Sequence, residues 1–516
     1  MRDHPSILLF MVDQLSAQWM EAAWSGVCPT PNIDALRARG TTFTQTFTSN
    51  PVCCPTRATI ATGQTTRGHG LLENGYFLDP ALPTFMRVLQ ENGWRTGVLG
   101  KVHFYPHFAG FYPDYKPFGF DVTHITEDGR GGEWLDWVEA NHPEHFASVL
   151  ATIWPSKIPD YVAYGPDKID LRSRIEAIRA DFDFATPEFP ENDGRAYTLP
   201  FPEEVSQTNW ITGHALNFLA STRDDQSFFA QVSYVQPHSP FHPPGEYMQY
   251  VESDRIPEPA PVEWVDDPHA PHELKRRTPD IPDNWRYQRQ CYFADIVHLD
   301  RQLGIVVNRL EELGRLDDTY ILFLSDHGEL LFDHGFTSKE EKHYDACFRV
   351  PLIVAGPDLG RGQVCEKIIQ LEDICPTILD IAGLQLPPMP KMGPYLPTPV
   401  AEIPTLAGRS VLPFCRAEAV DDWRNTAYCE SYNRIDAEHF QQWARTVRTK
   451  RYRYTLYPED GEQLFDLIND PDEQHNLSAD PAYATVRTEL RDQLLTLVIK
   501  QDSPKTRRSH FALGVH

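Results

Sequence analysis

The run Ser6-Ile7-Leu8-Leu9-Phe10-Met11-Val12, cut off by Asp13-Gln14, is apolar without alternation. A strand with one wet face alternates; one buried on both faces, as in a parallel sheet, does not. The run is too short to span a bilayer. It also lacks the basic lead-in and small-residue cleavage site of a signal peptide, so a cytoplasmic protein is expected. Four further apolar runs end as abruptly: Thr96–Leu99, Phe228–Val235, Tyr320–Leu324 and Leu352–Ala355. Helical patterns lie between them. Thr30-Pro31-Asn32-Ile33-Asp34-Ala35-Leu36-Arg37-Ala38-Arg39-Gly40 has a capping Thr, Pro at the first helical position and Gly at the stop. Leu82–Asn92 stops at Gly93, and Cys291–Leu313 stops at Gly314. This order predicts an α/β fold with a large mixed, mostly parallel sheet flanked by helices.

Beyond these segments the pattern changes. Glu139–Pro202 and Glu252–Asn284 show no clear period and are read as long insertions, surface loops that can also wall an active site. Leu386–Pro404 is proline-rich and reads as a linker or wrapped connection. Thr426–Ser431, Ala444–Arg448 and Tyr452–Tyr457, with the turn Glu459-Asp460-Gly461, predict a small antiparallel sheet. A helix from about Pro481 to Lys500 and the basic tail Lys505–Arg508 follow. The expected division is a catalytic α/β domain over 1–415 and a small C-terminal α+β subdomain over 416–516, whose extended tail suggests a homo-oligomer.

The chain has 516 residues, with 47 Lys and Arg against 73 Asp and Glu, a formal charge of −26. That balance excludes a nucleic-acid partner, which needs a basic footprint. No apolar run is long enough for a membrane span, so no membrane partner is expected. The nine cysteines follow neither a zinc spacing nor a dense disulfide pattern, and most are read as small buried hydrophobes.

Ligands of open α/β sheets gather beyond the carboxyl ends of the strands. There the runs deliver Asp13-Gln14, Gly100-Lys101-Val102-His103, Gln236-Pro237-His238 and Ser325-Asp326-His327-Gly328. Asp13, Gln14, Asp326 and His327 offer mainly hard donors, suited to Ca²⁺, Mg²⁺ or Mn²⁺. His238 and His242 are four apart, but Pro237, Pro240, Pro243 and Pro244 exclude a helical zinc pair. The segment Cys53-Cys54-Pro55-Thr56-Arg57-Ala58-Thr59-Ile60-Ala61-Thr62-Gly63 reads as a short helix with Cys53 at its N-terminus and Arg57 one turn on. Helix N-termini attract anions, so Cys53 is an electropositive, activated cysteine. A capping pair of buried thiols is the plainer reading.

Cys53-x-Pro55-x-Arg57, with Thr62-Gly63 closing the helix, resembles the signature of type I sulfatases, members of the alkaline phosphatase superfamily. The similarity extends to Asp13-Gln14, Thr30-Pro31-Asn32-Ile33-Asp34, Gly100-Lys101-Val102-His103 and Pro237-His238-Ser239-Pro240-Phe241. It continues through Ser325-Asp326-His327-Gly328-Glu329, Arg349-Val350-Pro351-Leu352, Leu464-Phe465-Asp466-Leu467 and Asn469-Asp470-Pro471. The resemblance implies an alkaline-phosphatase-like sheet and hydrolysis of sulfate monoesters, as in arylsulfatases. It implies conversion of Cys53 to formylglycine by a formylglycine-generating maturation enzyme. It further implies one divalent cation, Ca²⁺ before Mn²⁺ or Mg²⁺, on Asp13, Gln14, residue 53, Asp326 and His327.

On this resemblance a hydroxyl of the hydrated aldehyde attacks sulfur. His238 and Lys339 assist departure of the alcohol, His103 takes the proton of the second hydroxyl, and Lys101 and Arg57 orient the group and balance charge. Thr337-Ser338-Lys339-Glu340-Glu341-Lys342 contains two lysines; Lys339 is chosen by its distance from Asp326. Asn74 falls where related hydrolases contact substrate, though a plain loop residue fits as well. Many sulfatases have Asp-Asp where this chain has Asp13-Gln14 and Asn where it has His327, which leaves room for Mn²⁺. Phosphonate monoester and phosphodiester hydrolases share the nucleophile motif. They are expected to carry neutral hydroxyl residues in place of Lys101 and His103. The substrate is in either case a small anionic ester.

Overall fold

The computed structural model describes all residues except 1–3, 107–108, 155–157, 185–193, 272–273, 275–278, 280, 340–341, 388, 392–399, 403–405, 433–442, 459–460 and 502–516. The main sheet has nine strands. They are β1 (Ser6–Val12), β2 (Gly40–Phe47), β3 (Arg95–Gly100), β4 (Val122–Ile125), β5 (Phe228–Ser233), β6 (Thr319–Ser325), β7 (Arg349–Ala355), β8 (Gln363–Cys365) and β9 (Ile369–Gln370). Their order is β4-β3-β5-β1-β6-β7-β2-β8, with β9 also on β2. The block from β4 to β6 is parallel; β7 runs against both β6 and β2.

Strand β1 lies in the middle and is buried over its whole length. Leu8, Phe10 and Val12 enter the core on one face, and Ile7, Leu9 and Met11 the core on the other. Two buried faces account for the unbroken apolar run, each side chain contributing roughly 1.5–3 kcal/mol by leaving water. The first face is covered by α1 (Pro31–Arg39), α4 (Gln207–Ser221) and α5 (Trp285–Glu312). The second is covered by α2 (Cys53–Thr62), α3 (Phe85–Glu91) and α6 (Ile374–Ala382).

Strand register decides what meets at the carboxyl edge. Val12 lies opposite Ser325 and Met11 opposite Ser233, while Gly100 also faces Ser233. Asp13, Lys101 and Asp326, each one residue further on, therefore leave the sheet side by side. Gly100 has φ +104°, and a Cβ there would collide with the Ser233 carbonyl oxygen. Only glycine lets β3 approach β5 so closely just before Lys101.

The 139–202 stretch departs from the surface-loop reading. It holds helices at Phe146–Ala151 and Leu171–Asp181. Phe146, Val149, Leu150, Tyr161, Leu171 and Ile175 from it join the first core. Aromatics spaced among prolines pack in short helical turns that show no long period. The 252–284 stretch is mainly 3₁₀ turns and loop. The proline-rich segment contributes a two-stranded antiparallel pair, β10 (Met389–Lys391) with β11 (Val400–Glu402).

Near the C-terminus, β12 (Thr426–Tyr432), β13 (Trp443–Thr449), β14 (Tyr452–Tyr457) and β15 (Gly461–Asp466) form an antiparallel sheet in sequence order. Helix α7 (Ala484–Gln501) packs on it through Leu490 and Leu494. Gly461 opens a fourth strand; Glu459 and Asp460 of the expected turn, and the tail Lys505–Arg508, lie outside the described residues. All nine cysteines are unbridged. No described helix is long and apolar enough to cross a membrane.

Candidate active site

Helix α2 starts at Cys53, buried at the sheet's carboxyl edge. Its start has no side-chain cap from Val52; the Cys54 amide instead donates to Asn74 Oδ1 at 3.0 Å. Asn74 thus holds the helix start, one residue from the predicted nucleophile. Gly63 ends the helix in the left-handed region at φ +63°.

Around Cys53 Sγ stand Lys339 Nζ at 3.0 Å, His327 Nε2 at 3.1 Å and Asp13 Oδ1 at 3.9 Å. His103, with φ +56°, lies close enough to help lower the thiol's pKa. Burial alone would raise this thiol, but Lys101, Lys339 and His327 hold it well below the usual range. Cys54, equally buried one residue on, is pushed well up by burial and by Cys53 itself. Of the adjacent pair, only Cys53 carries the chemistry of an anion.

Asp13 and Asp326 face each other across the register described above. Arg57 Nε donates to Asp326 Oδ2 at 2.8 Å, and its Nη2 lies 3.7 Å from Asp13 Oδ2. Arg57 is itself fixed by the Lys101 carbonyl at 3.0 Å and Ser233 Oγ at 2.9 Å. Lys101 Nζ donates to Asp13 and to both oxygens of Asp128, at 2.8 and 2.7 Å. Burial and the neighbouring Asp326 raise the Asp13 carboxyl, while His327 and Arg57 hold Asp326 down against its own burial. Of the two, Asp13 is the one disfavoured as an anion.

Gln14 occupies the left-handed region at φ +66°. That turn lets its amide donate to Asp326 Oδ1 at 3.1 Å and its carbonyl accept from Tyr292 Oη at 2.8 Å. The Gln14 side chain donates through Nε2 to Glu329, so Oε1 points back, where Lys339 Nζ donates to it at 2.8 Å. His327 Nδ1 lies 3.1 Å from the Gly328 carbonyl oxygen. A carbonyl only accepts, so Nδ1 carries a proton and Nε2 is the nitrogen turned to the site.

This layout matches a known lineage. A family model described as "Sulfatase" matches residues 5–384. The chain belongs to the sulfatase family. It is a sulfuric ester hydrolase of the alkaline phosphatase superfamily. A second model, for the C-terminal part of N-sulphoglucosamine sulphohydrolase, matches residues 332–500. The sulfatase is 25% identical over 514 residues to an arylsulfatase of Clostridium perfringens, covering 96% of this chain and 94% of the relative. It is 26% identical to a choline-sulfatase of Rhizobium meliloti, covering 92% and 83%. A crystal structure of the phosphonate monoester hydrolase of Agrobacterium radiobacter shares the fold with a TM-score of 0.75, at 23% identity and 96% coverage of both chains.

Sulfatases in general imply a formylglycine and a metal ion, and the donors present fit a hard cation. Asp13, Cys53, Asp326 and His327 present ligand atoms all within 4.8 Å of one another. Gln14 Oε1 faces the same space, where Asp13 is raised by burial and by Asp326. Four oxygen or nitrogen donors on rigid strand ends suit Ca²⁺, Mg²⁺ or Mn²⁺.

The structure brings Arg57, Lys101, His103 and Lys339 to these atoms. Lys342, the other lysine of that segment, turns instead to the ring of Phe336. His238 lies within electrostatic reach of Asp13, with its Nδ1 on the Ser239 carbonyl oxygen at 2.7 Å. His242 turns to Arg130, and its amide donates to Asp295. Four residues at the site were given no role in the sequence. Asp128 holds Lys101, Glu127 accepts from the amides of Val102 and His103, Ser233 holds Arg57, and Glu329 orients Gln14. Glu127 and Asp128 follow the four-residue strand β4, whose Val-Thr-His-Ile is too short and mixed to signal a strand end.

Proposed function

We propose that this sulfatase hydrolyses sulfate monoesters of the arylsulfatase type, using a formylglycine made from Cys53 and a divalent cation held by Asp13, Gln14, residue 53, Asp326 and His327. One observation carries the reading: side chain 53 sits at a helix N-terminus between two facing carboxylates, with Lys339 and His327 about 3 Å from its terminal atom. Oxidised and hydrated, residue 53 supplies paired hydroxyls, one to attack and one to expel the product acid. A bound cation supplies positive charge that acidifies the attacking group and draws charge from the ester oxygens.

The other side chains have separable tasks. Arg57 and Lys101, pinned by Asp326, Asp128 and Asp13, are fixed cations that need no reorganisation as negative charge grows. His103 lies near side chain 53 and can take its proton. Lys339 reaches the same atom and can stabilise a departing alkoxide, with His238 as proton donor from the rim. Because Cys53 is sealed inside the fold, the maturation enzyme must reach it before α2 packs.

The alternative is phosphonate monoester or phosphodiester hydrolysis with the same nucleophile, a reading that the Agrobacterium neighbour supports. Lys101 and His103 favour the sulfate monoester. The test combines three measurements on protein from its native host. The peptide containing residue 53 should weigh less than the thiol form. Aryl sulfate turnover should exceed phenyl phosphonate turnover, and Cys53→Ala should abolish both. Ca²⁺, Mn²⁺ or Mg²⁺ restored after chelation should raise the melting temperature, by about 2.7 kcal/mol of stability at a hundredfold excess over Kd. An unmodified thiol together with no turnover would overturn the proposal; a large phosphonate preference would establish the alternative.

A further inference from the structure

Beside the nucleophile lies a cavity of about 280 Å³ lined by Trp154, Arg179, Arg195, Ser239, Glu329 and Ser338, among others. It adjoins the site on two sides. Ser239 follows His238, and Ser338 precedes Lys339, whose Nζ touches Cys53 Sγ. A sulfate group held at residue 53 would leave its organic part in this space, which is of the size ligand pockets have.

The lining is chemically uneven. Trp154 stands 44% exposed, a large indole with much of its surface uncovered. Glu329 is the acidic member, and it is already satisfied by Gln14 Nε2 and by the amides of Leu331 at 2.9 Å and Ser338 at 2.6 Å. Arg179 is half-buried and has no carboxylate partner among the described residues. Its hydrogen bond goes to the Ala151 carbonyl at 2.7 Å, and its guanidinium lies over the Phe184 ring at 5.3 Å. Burial lowers its pKa; Tyr197 opposes this and Arg130 adds to it. A half-buried guanidinium that faces a cavity without a carboxylate partner is suited to pair with an anion arriving from solution.

We infer that Arg179 recognises a second anionic group on the substrate, so that the preferred ester is a sulfate whose flat apolar body lies by Trp154 and carries a further oxyanion, a carboxylate or a second sulfate. This rests on the sulfate-ester reading above for the reacting group alone. Arg195, at the same cavity, adds positive charge. Arg179 and Trp154 belong to the stretch that the sequence pattern left as an insertion, so that stretch supplies one wall of the pocket, while Ser239, Glu329 and Ser338 supply the wall next to the site.

The test compares 3-carboxyphenyl sulfate with 3-carbamoylphenyl sulfate, and the same pair as phenylphosphonate monoesters, on wild type, Arg179→Gln and Arg179→Lys. Wild type should prefer the carboxylate over the amide by roughly tenfold or more in kcat/KM, the scale of one charge-assisted hydrogen bond. Arg179→Gln should erase that preference while changing turnover of the amide less than about threefold; Arg179→Lys should keep part of it. Calorimetric binding of the product 3-hydroxybenzoate, weakened by Arg179→Gln, gives a readout independent of turnover. An equal loss on both esters, or a wild type blind to the carboxylate, overturns the proposal. The acid that turns over, sulfate or phosphonate, judges the parent reading separately, because the carboxylate-to-amide ratio is taken within whichever series reacts. A disulfated phenol added to the panel tells a second sulfate from a carboxylate.

Discussion

Lys101 is buried beside Asp13 and both oxygens of Asp128, and these two carboxylates are what keep its ammonium rigid at the nucleophile. Asp128 touches no reacting atom; it positions Lys101. Asp128→Asn keeps the shape and removes the charge, so kcat should fall roughly 10–100-fold with KM moving far less. Steady-state kinetics alongside a melting curve check this. A lowered melting temperature with kcat intact would make Asp128 a purely structural partner. At this scale the motif residues were legible, because strand ends and helix starts collect chemistry for physical reasons. Asp128 was not, because its partner lies 27 positions away on another strand end.

Among the elements, β1, β3, β5, β6 and β7 were visible as apolar runs, since burial on both faces writes an unbroken signal. Strand β2, Gly40-Thr41-Thr42-Phe43-Thr44-Gln45-Thr46-Phe47, was not. It sits toward the sheet's edge between β7 and β8, and threonines serve there as β-formers without hydrophobic contrast. The turn after β9 carries a pH consequence. Glu372 is buried near Ser49 and Arg424, and burial pushes its carboxyl up to about 7. A raised carboxyl gives stability that is full below about pH 4.5 and is lost as pH rises through 7. Glu372→Gln, which cannot ionise, should therefore gain on wild type between pH 5 and pH 8, by about 1–3 kcal/mol. Thermal melts across that range test it; a pH-independent difference would show that Glu372 does not titrate there.

Across the whole molecule, the C-terminal sheet is tied into the catalytic sheet. Ala427 and Cys429 pack on Phe47, Phe348 and Ile368. Glu430 N donates to the Ser49 carbonyl at 2.7 Å, Arg448 pairs with Asp345 at 2.8 Å, and Arg67 reaches Glu430 at 3.1 Å. We propose that the parts read as 1–415 and 416–516 unfold together. A chain ending at residue 415 would expose the apolar cluster and leave Asp345 without Arg448, a loss of about 3–5 kcal/mol for such a buried pair alone. It should show no cooperative melt by circular dichroism and no aryl sulfate turnover; a stable, active fragment would refute the coupling.

The local sequence determined which segments become buried strands and which polar residues stand at their ends, because periodicity and capping act over a few residues. It also determined that residue 53 begins a helix. Only the tertiary structure decided that Val12 lies opposite Ser325 and Met11 opposite Ser233, and so that Asp13, Asp326, Lys101 and Arg57 converge. Register depends on cross-strand packing between residues hundreds of positions apart, and no local pattern encodes it. The same holds for Arg179, whose lack of a carboxylate partner among the described residues is a fact of packing and not of composition.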